Sequence, residues 1–293
     1  MTKKKFWGFI LCIIMAVSMV PLMVSADIGP KPSVSVAFEW AEDAESLEGQ
    51  PYYATLLSEK RSTGPASAYD GSYARYTADD EEYDIWKKFV EYEDSDGYYF
   101  LQEFWDCTGK DSFRWGYYPP DPFKILLYFP EADVFVATDI YERYAFDTYY
   151  RVNLEDFEVV SVEKTYDYSL EVINLIVRVV ITILVELLVA LLFGLRSKKQ
   201  MVLLTGINVS TQIILNVLLN IINYNKGYFA FVFYYILLEL LVLSIEAVVY
   251  AVVLRQKEYG TVSKTRAIVY AFVANVVSFA VGLWIAQHVP GIF

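Results

Sequence analysis

Histidine and cysteine are the scarce residues, with one of the first and two of the second in 293 positions. The one histidine, His288, stands at the far end of the last apolar run. A zinc-protease helix needs two histidines a turn apart, and serine or thiol catalysis needs a histidine base beside its nucleophile. Those reactions lack their parts here. Cys12 lies in the leader and lacks the preceding small residues of a lipid-attachment site, so the mature chain has Cys107 alone and no internal disulfide. No glycine-rich phosphate loop occurs, and no stretch between apolar runs is long enough for a cytoplasmic domain, which argues against nucleotide-driven work. No internal repeat or low-complexity linker is apparent. The expectation is a protein that is not an enzyme, with no catalytic residues and no cofactor.

What is present divides in two. Residues 27–168 hold 31 of the 36 acidic residues and 12 of the 24 basic ones, a net charge of −19, and the remainder is net +7. An acidic block followed by an apolar, mildly basic one reads as a soluble domain joined to a membrane domain. The acidity argues against nucleic acid as a partner.

Lys3, Lys4 and Lys5, the apolar run from Phe6, Pro21 and the small residues Val24, Ser25 and Ala26 compose a secretory signal over residues 1–26. Four further apolar segments, near 170–194, 201–222, 228–254 and 267–287, are each long enough to span a bilayer. The loops after the first and third carry Arg196, Lys198, Lys199, Arg255, Lys257, Lys264 and Arg266, whereas the middle loop has only Lys226. The positive-inside rule places the two basic loops in the cytoplasm. Residues 27–168 and the C-terminus then lie outside the cell membrane, as the leader independently requires.

The exported part reads as β-rich α+β, ahead of an all-α bundle of four transmembrane helices over 169–293. Val34, Val36 and Phe38 alternate, and "YYATLLSE" is a second strand that ends at the "STGP" turn. "DDEEYDIWKKFVEY" reads as a helix with Ile85, Phe89 and Tyr92 on one face. "FKILLYF" and "VFVATDIYE" form a hairpin, and "FDTYYRVNL" and "FEVVSVEKTY" add strands. The many aromatics at strand spacing read as core and cross-strand pairs.

Each apolar segment carries one polar stripe. Asn174, Arg178, Thr182 and Glu186 recur every fourth residue in the first; Asn208, Gln212, Asn216 and Asn220 do so in the second. Glu239 and Glu246 lie two turns apart in the third, and Asn275, Ser278 and Gly282 share a face in the fourth. Lipid satisfies none of these groups, so the stripes should face one another. Counting about 1.5 Å per residue from the span ends places Arg178 level with Glu239 in the outer half. Glu186, Glu246, Asn208 and Asn275 fall deeper. The expected contacts are an Arg178–Glu239 ion pair with Glu186 near Glu246 below it. The intramembrane polar site is therefore Arg178, Glu186, Asn208, Gln212, Glu239, Glu246 and Asn275. Two carboxylates sharing a low-dielectric site do not readily both ionise.

One exported motif has calcium-loop character. With Gly97 at position six of an EF-hand, Asp94, Asp96 and Glu103 fall at ligand positions, but Tyr92 stands where the first Asp belongs. An Asp-Gly turn is the competing reading, and no strong metal set exists.

The segments "STGP", "DGYYFLQEFWDC", "FKILLYFP", "YERYAFD", "NVSTQIILN", "ELLVLSIEAVVY" and "ANVVSFAVG" resemble a group of membrane proteins from Gram-positive, clostridium-like bacteria. That group has a signal peptide, an exported domain and four transmembrane helices. The membrane half is also similar to a wider set of small bacterial proteins with Asn-x-x-Thr, Glu-x6-Glu and Asn-x-x-Ser patterns, here Asn208 and Thr211, Glu239 and Glu246, Asn275 and Ser278. The likeness implies the architecture and no activity. Two functions remain open. The first is a non-enzymatic envelope protein whose exported domain binds a ligand or partner and whose bundle anchors it or meets other membrane subunits. The second is a small proton- or cation-coupled transporter or channel using Glu186, Glu239 and Glu246.

Overall fold

The computed structural model describes residues 29–41 and 49–288; the leader through Ala26 and residues 289–293 lie outside them. In chain order the described elements are β1 (Ser33–Trp40), β2 (Tyr53–Ser58), α1 (Tyr83–Glu91), β3 (Tyr99–Phe100), β4 (Trp105–Asp106), β5 (Ser112–Trp115), β6 (Phe123–Phe129), β7 (Val134–Ala137), β8 (Asp147–Glu155) and β9 (Glu158–Lys164), then the long helices α2 (Tyr168–Leu192), α3 (Lys198–Lys226), α4 (Tyr228–Val253) and α5 (Lys264–His288). The β-rich α+β part followed by four apolar helices is the expected fold class.

The strands form two sheets, ordered β5-β1-β8-β9 and β3-β2-β6-β7, with β4 also paired to β2. β1 and β8 pair in parallel from Ser33–Asp147 to Trp40–Leu154, a long-range pairing that no local pattern announces. One core fills the space between the sheets, with Val34, Val36, Phe38, Tyr150 and Val152 from the first and Ala54, Leu56, Ile125, Leu127 and Phe129 from the second. The outer face of the second sheet is covered by α1 through Trp86 and Phe89, packed on Leu57, Phe100, Leu126 and Tyr128. Trp86, more than the expected Ile85, therefore anchors the helix. Both faces of β6 are covered, so all seven of its residues are buried, and apart from Lys124 the run "FKILLYF" is apolar without alternation. The aromatics are core: Phe89 alone stacks or edges against Phe100, Phe104, Tyr128 and Phe135 at 5.1–5.9 Å.

Cys107 is wholly buried in the inter-sheet core. Burial, helped by the charges of Asp106 and Asp111, pushes its thiol up to about 12. In the native protein Cys107 is therefore expected to resist maleimide at pH 8 and to label only as the β-rich part opens. Labelling at the rate of a free thiol in the folded protein would show that this core is not closed.

The helical part inverts the usual distribution of polarity. Leu184, Leu188, Leu192 and Ile214 are exposed, Leu192 by 85%, while Glu186, Asn208, Gln212, Asn216, Glu246 and Asn275 are buried. All four helices are long and apolar enough to cross a membrane, which suits a multi-pass protein in contact with lipid. α2 packs on α3 and α5, and α4 also packs on α3 and α5, so the four form a ring with α2 and α4 opposite each other. α3 runs beyond the expected 201–222 because Ser197 and Gln200 close a capping box at its start and Gly227 ends it. The apolar run marks the part that suits hydrocarbon; the caps decide where the helix stops.

The β-rich part rests on the last turn of α3 and on Gly227, which joins α3 to α4. The Phe146 N–H donates to the Tyr224 carbonyl at 2.8 Å, and the Tyr166 ring meets Tyr224 edge-on at 5.3 Å. Gly227 has φ +79°, and a Cβ there would run into the Phe146 ring. Only glycine accepts both that backbone conformation and that approach.

Candidate functional site

The ring brings the deep polar residues together. Glu186 on α2 and Glu246 on α4 are each 0% exposed. Asn208 Nδ2 donates to Glu186 Oε2, and Ser278 Oγ lies 3.4 Å from Glu186 Oε1. Asn275 Nδ2 donates to Glu246 Oε2 at 2.8 Å, and Thr211 Oγ1 lies 2.7 Å from Glu246 Oε1. The helical hairpins α2–α3 and α4–α5 thus play equivalent parts. Each supplies a Glu on its first helix and an Asn-x-x-hydroxyl on its second. Each Glu takes an amide from its own hairpin and a hydroxyl from the other. No repeat was visible in the sequence because only three positions per hairpin carry this correspondence.

Two tyrosines close the site toward the end that carries the basic loops. Tyr250 OH donates to Asn208 Oδ1 at 2.5 Å, and Tyr270 OH donates to the Glu186 carbonyl at 3.4 Å. Below them lies an apolar cluster including Leu195, Leu204, Leu254 and Val262. Sequence reasoning left these tyrosines out. Tyr250 was findable, since it follows Glu246 by one turn on the same face.

On the opposite side of the pair, a cavity of about 20 Å³ is lined by Arg178, Thr182, Gln212, Asn216, Glu239 and Ser278. That is space for one water-sized occupant, which needs roughly 10–15 Å³. The cavity holds both members of the expected Arg178–Glu239 pair, but no ion pair between them forms among the described residues. Arg178 Nη1 instead donates to Asn216 Oδ1 at 3.4 Å, and its guanidinium stacks on Phe231 at 5.6 Å. The guanidinium does reach α4, but at Phe231, about two turns before Glu239, and it takes its acceptor from α3. Gln212 receives the Asn216 amide on its own carbonyl at 2.8 Å.

The calcium-loop residues lie elsewhere and have protein cations as partners. Lys124 Nζ binds Asp94 Oδ1 at 2.6 Å and Asp96 Oδ2 at 2.9 Å. Glu103 is paired with Arg75. Asp94 also accepts the N–H of Asp96 and of Tyr98, the Asp-Gly turn in built form. Among the described residues no group of three or more His, Cys, Asp or Glu side chains is placed to hold a metal.

No family model, no curated protein and no solved structure matches the chain.

Proposed function

We propose that this chain is a non-enzymatic, multi-pass protein of the cell envelope whose helical part binds a proton or small cation at Glu186 and Glu246, as a proton- or cation-coupled transporter or channel. The carrying observation is that two wholly buried carboxyl groups have, among the described residues, only neutral hydrogen-bond partners. Two unneutralised charges there cost several kcal/mol each. A proton or cation removes that cost, and a carboxyl group that must bind one to be stable is suited to exchanging it. Gln would serve equally well as an interhelical hydrogen-bonding group, without the charge.

The proposed topology puts the β-rich part outside. Its support is the seven-to-one distribution of basic residues between the loops together with the docking of Phe146 on the C-terminal turn of α3, at the end away from the basic loops. On this reading the exported part meets an envelope ligand or partner and stands directly on the transport helices.

The test is the full-length protein in liposomes with imposed proton, sodium or potassium gradients. Wild type is expected to dissipate one of them, and Glu186→Gln and Glu246→Gln to abolish that flux while the protein stays folded. A wild type that moves none of the three, or Gln variants that move them equally well, sinks the reading.

A further inference from the structure

Resting on that reading, we infer that the bound ion is a proton: Glu186 and Glu246 are both neutral acids, and Ser278 links Glu186 to the Arg178–Glu239 cavity as its route of proton exchange. The protonation state follows from a count of hydrogens. A serine or threonine hydroxyl has one. Thr211 Oγ1 lies 3.0 Å from the Ile207 carbonyl as well as 2.7 Å from Glu246 Oε1. Ser278 Oγ lies 3.1 Å from the Asn275 carbonyl as well as 3.4 Å from Glu186 Oε1. A helical hydroxyl commonly spends its hydrogen on the carbonyl one turn back. The hydrogen between hydroxyl and carboxyl then belongs to the carboxyl.

Both halves of the site satisfy that assignment. In each, one carboxyl oxygen accepts an amide N–H, from Asn208 or Asn275, as the C=O of a neutral acid does. The other oxygen faces a hydroxyl already back-bonded, as the O–H of a neutral acid requires. A metal cation would instead need converging oxygens, but every carboxyl oxygen here is engaged by a neutral hydrogen-bonding group.

Ser278 is the hydroxyl of the two that also lines the cavity, with Glu239 across from it. The titratable groups that face this system are Arg178, Tyr235 and Glu239 on the cavity side and Tyr250 and Tyr270 on the other. In one exchange step the Ser278 hydroxyl turns its hydrogen from the Asn275 carbonyl to a water molecule in the cavity, passes it to that water, and takes the Glu186 proton in its place. That water passes a proton to Glu239. The net change is one proton moved from Glu186 to Glu239, with Ser278 and the water restored.

Infrared spectroscopy of the full-length protein in lipid, at neutral pH and without alkali cations, tests this. Wild type is expected to show two protonated-carboxyl C=O bands, one missing in Glu186→Gln and the other in Glu246→Gln. On transfer to D₂O, Ser278→Ala should slow exchange of the band lost in Glu186→Gln by on the order of 100-fold, with Ser278→Thr restoring it. Ionised carboxylates in wild type, bands that convert to carboxylate when sodium or potassium is added, or wild-type exchange in Ser278→Ala would each overturn the inference. Bands and exchange as stated, with no flux in liposomes, would uphold it and sink the transport reading instead.

Discussion

Lys124→Met is expected to destabilise the β-rich part by about 3–5 kcal/mol, the usual cost of removing one partner from a buried ion pair. Lys124 is the lone charge in β6, on the face that α1 covers, and its side chain is 5% exposed. The Asp94 side chain it binds is 1% exposed. Without the ammonium, Asp94 keeps only two backbone N–H donors, at 3.0 and 3.2 Å, and stays buried with a full charge. Burial alone would raise the Asp94 carboxyl, but the Lys124 ammonium and those backbone donors outweigh it and hold the group below its ordinary range. A lowered carboxyl contributes stability that is present above its unfolded value, near 3.9, and lost as pH falls through the folded one. Burial alone would lower Lys124, yet Asp94 and Asp96 raise it. Its contribution is present below the unfolded value and lost as pH rises through the higher folded one. The pair therefore acts at full strength across neutral pH. Urea dependence of Cys107 labelling in the full-length protein measures the loss. A Lys124→Met protein within about 1 kcal/mol of wild type would mean that surrounding packing holds the loop without the pair.

Asn208→Leu should weaken the helical bundle more than Asn275→Leu does. Asn208 serves two wholly buried groups at once, Glu186 through Nδ2 and Tyr250 through Oδ1. Leucine leaves both without that partner, at about 1–3 kcal/mol for each orphan. The lower end applies in a membrane, where orphaned groups find substitutes. Asn275 gives Glu246 one bond, and its Oδ1 has no partner among the described residues, so its removal orphans one group. Thermal unfolding of both variants in one detergent ranks them. Equal losses, or a larger one for Asn275→Leu, would refute the bonding pattern described for the site.

Much of the architecture was legible because it rests on local rules. The hairpin of β6 and β7, the helix at Tyr83–Glu91 and the four apolar helices follow from periodicity and length. The inward turn of the polar stripes follows from the cost of polar groups in lipid, and Glu186, Asn208, Glu246 and Asn275 do share one site. Arg178 and Glu239 line one cavity, but the guanidinium takes Asn216 and the Phe231 ring as partners, a choice of contacts that depth counting does not resolve. The calcium-loop reading missed Lys124, thirty residues along the chain from Asp94, whose ammonium approaches only after β6 is laid beside the turn.

The sequence alone determined the division into an acidic β-rich part and an apolar helical part, and which face of each helix must turn inward. Those are consequences of composition and period, and each residue carries its share of them wherever its partners lie. The tertiary structure decided the parallel pairing of β1 with β8, the partner of Asp94, and the order of helices around the ring. It is that order that gives each buried carboxyl an amide from its own hairpin and a hydroxyl from the other. Hydrogen bonds are short and directional, so they depend on which elements become neighbours, and a periodic pattern along one chain holds no record of that.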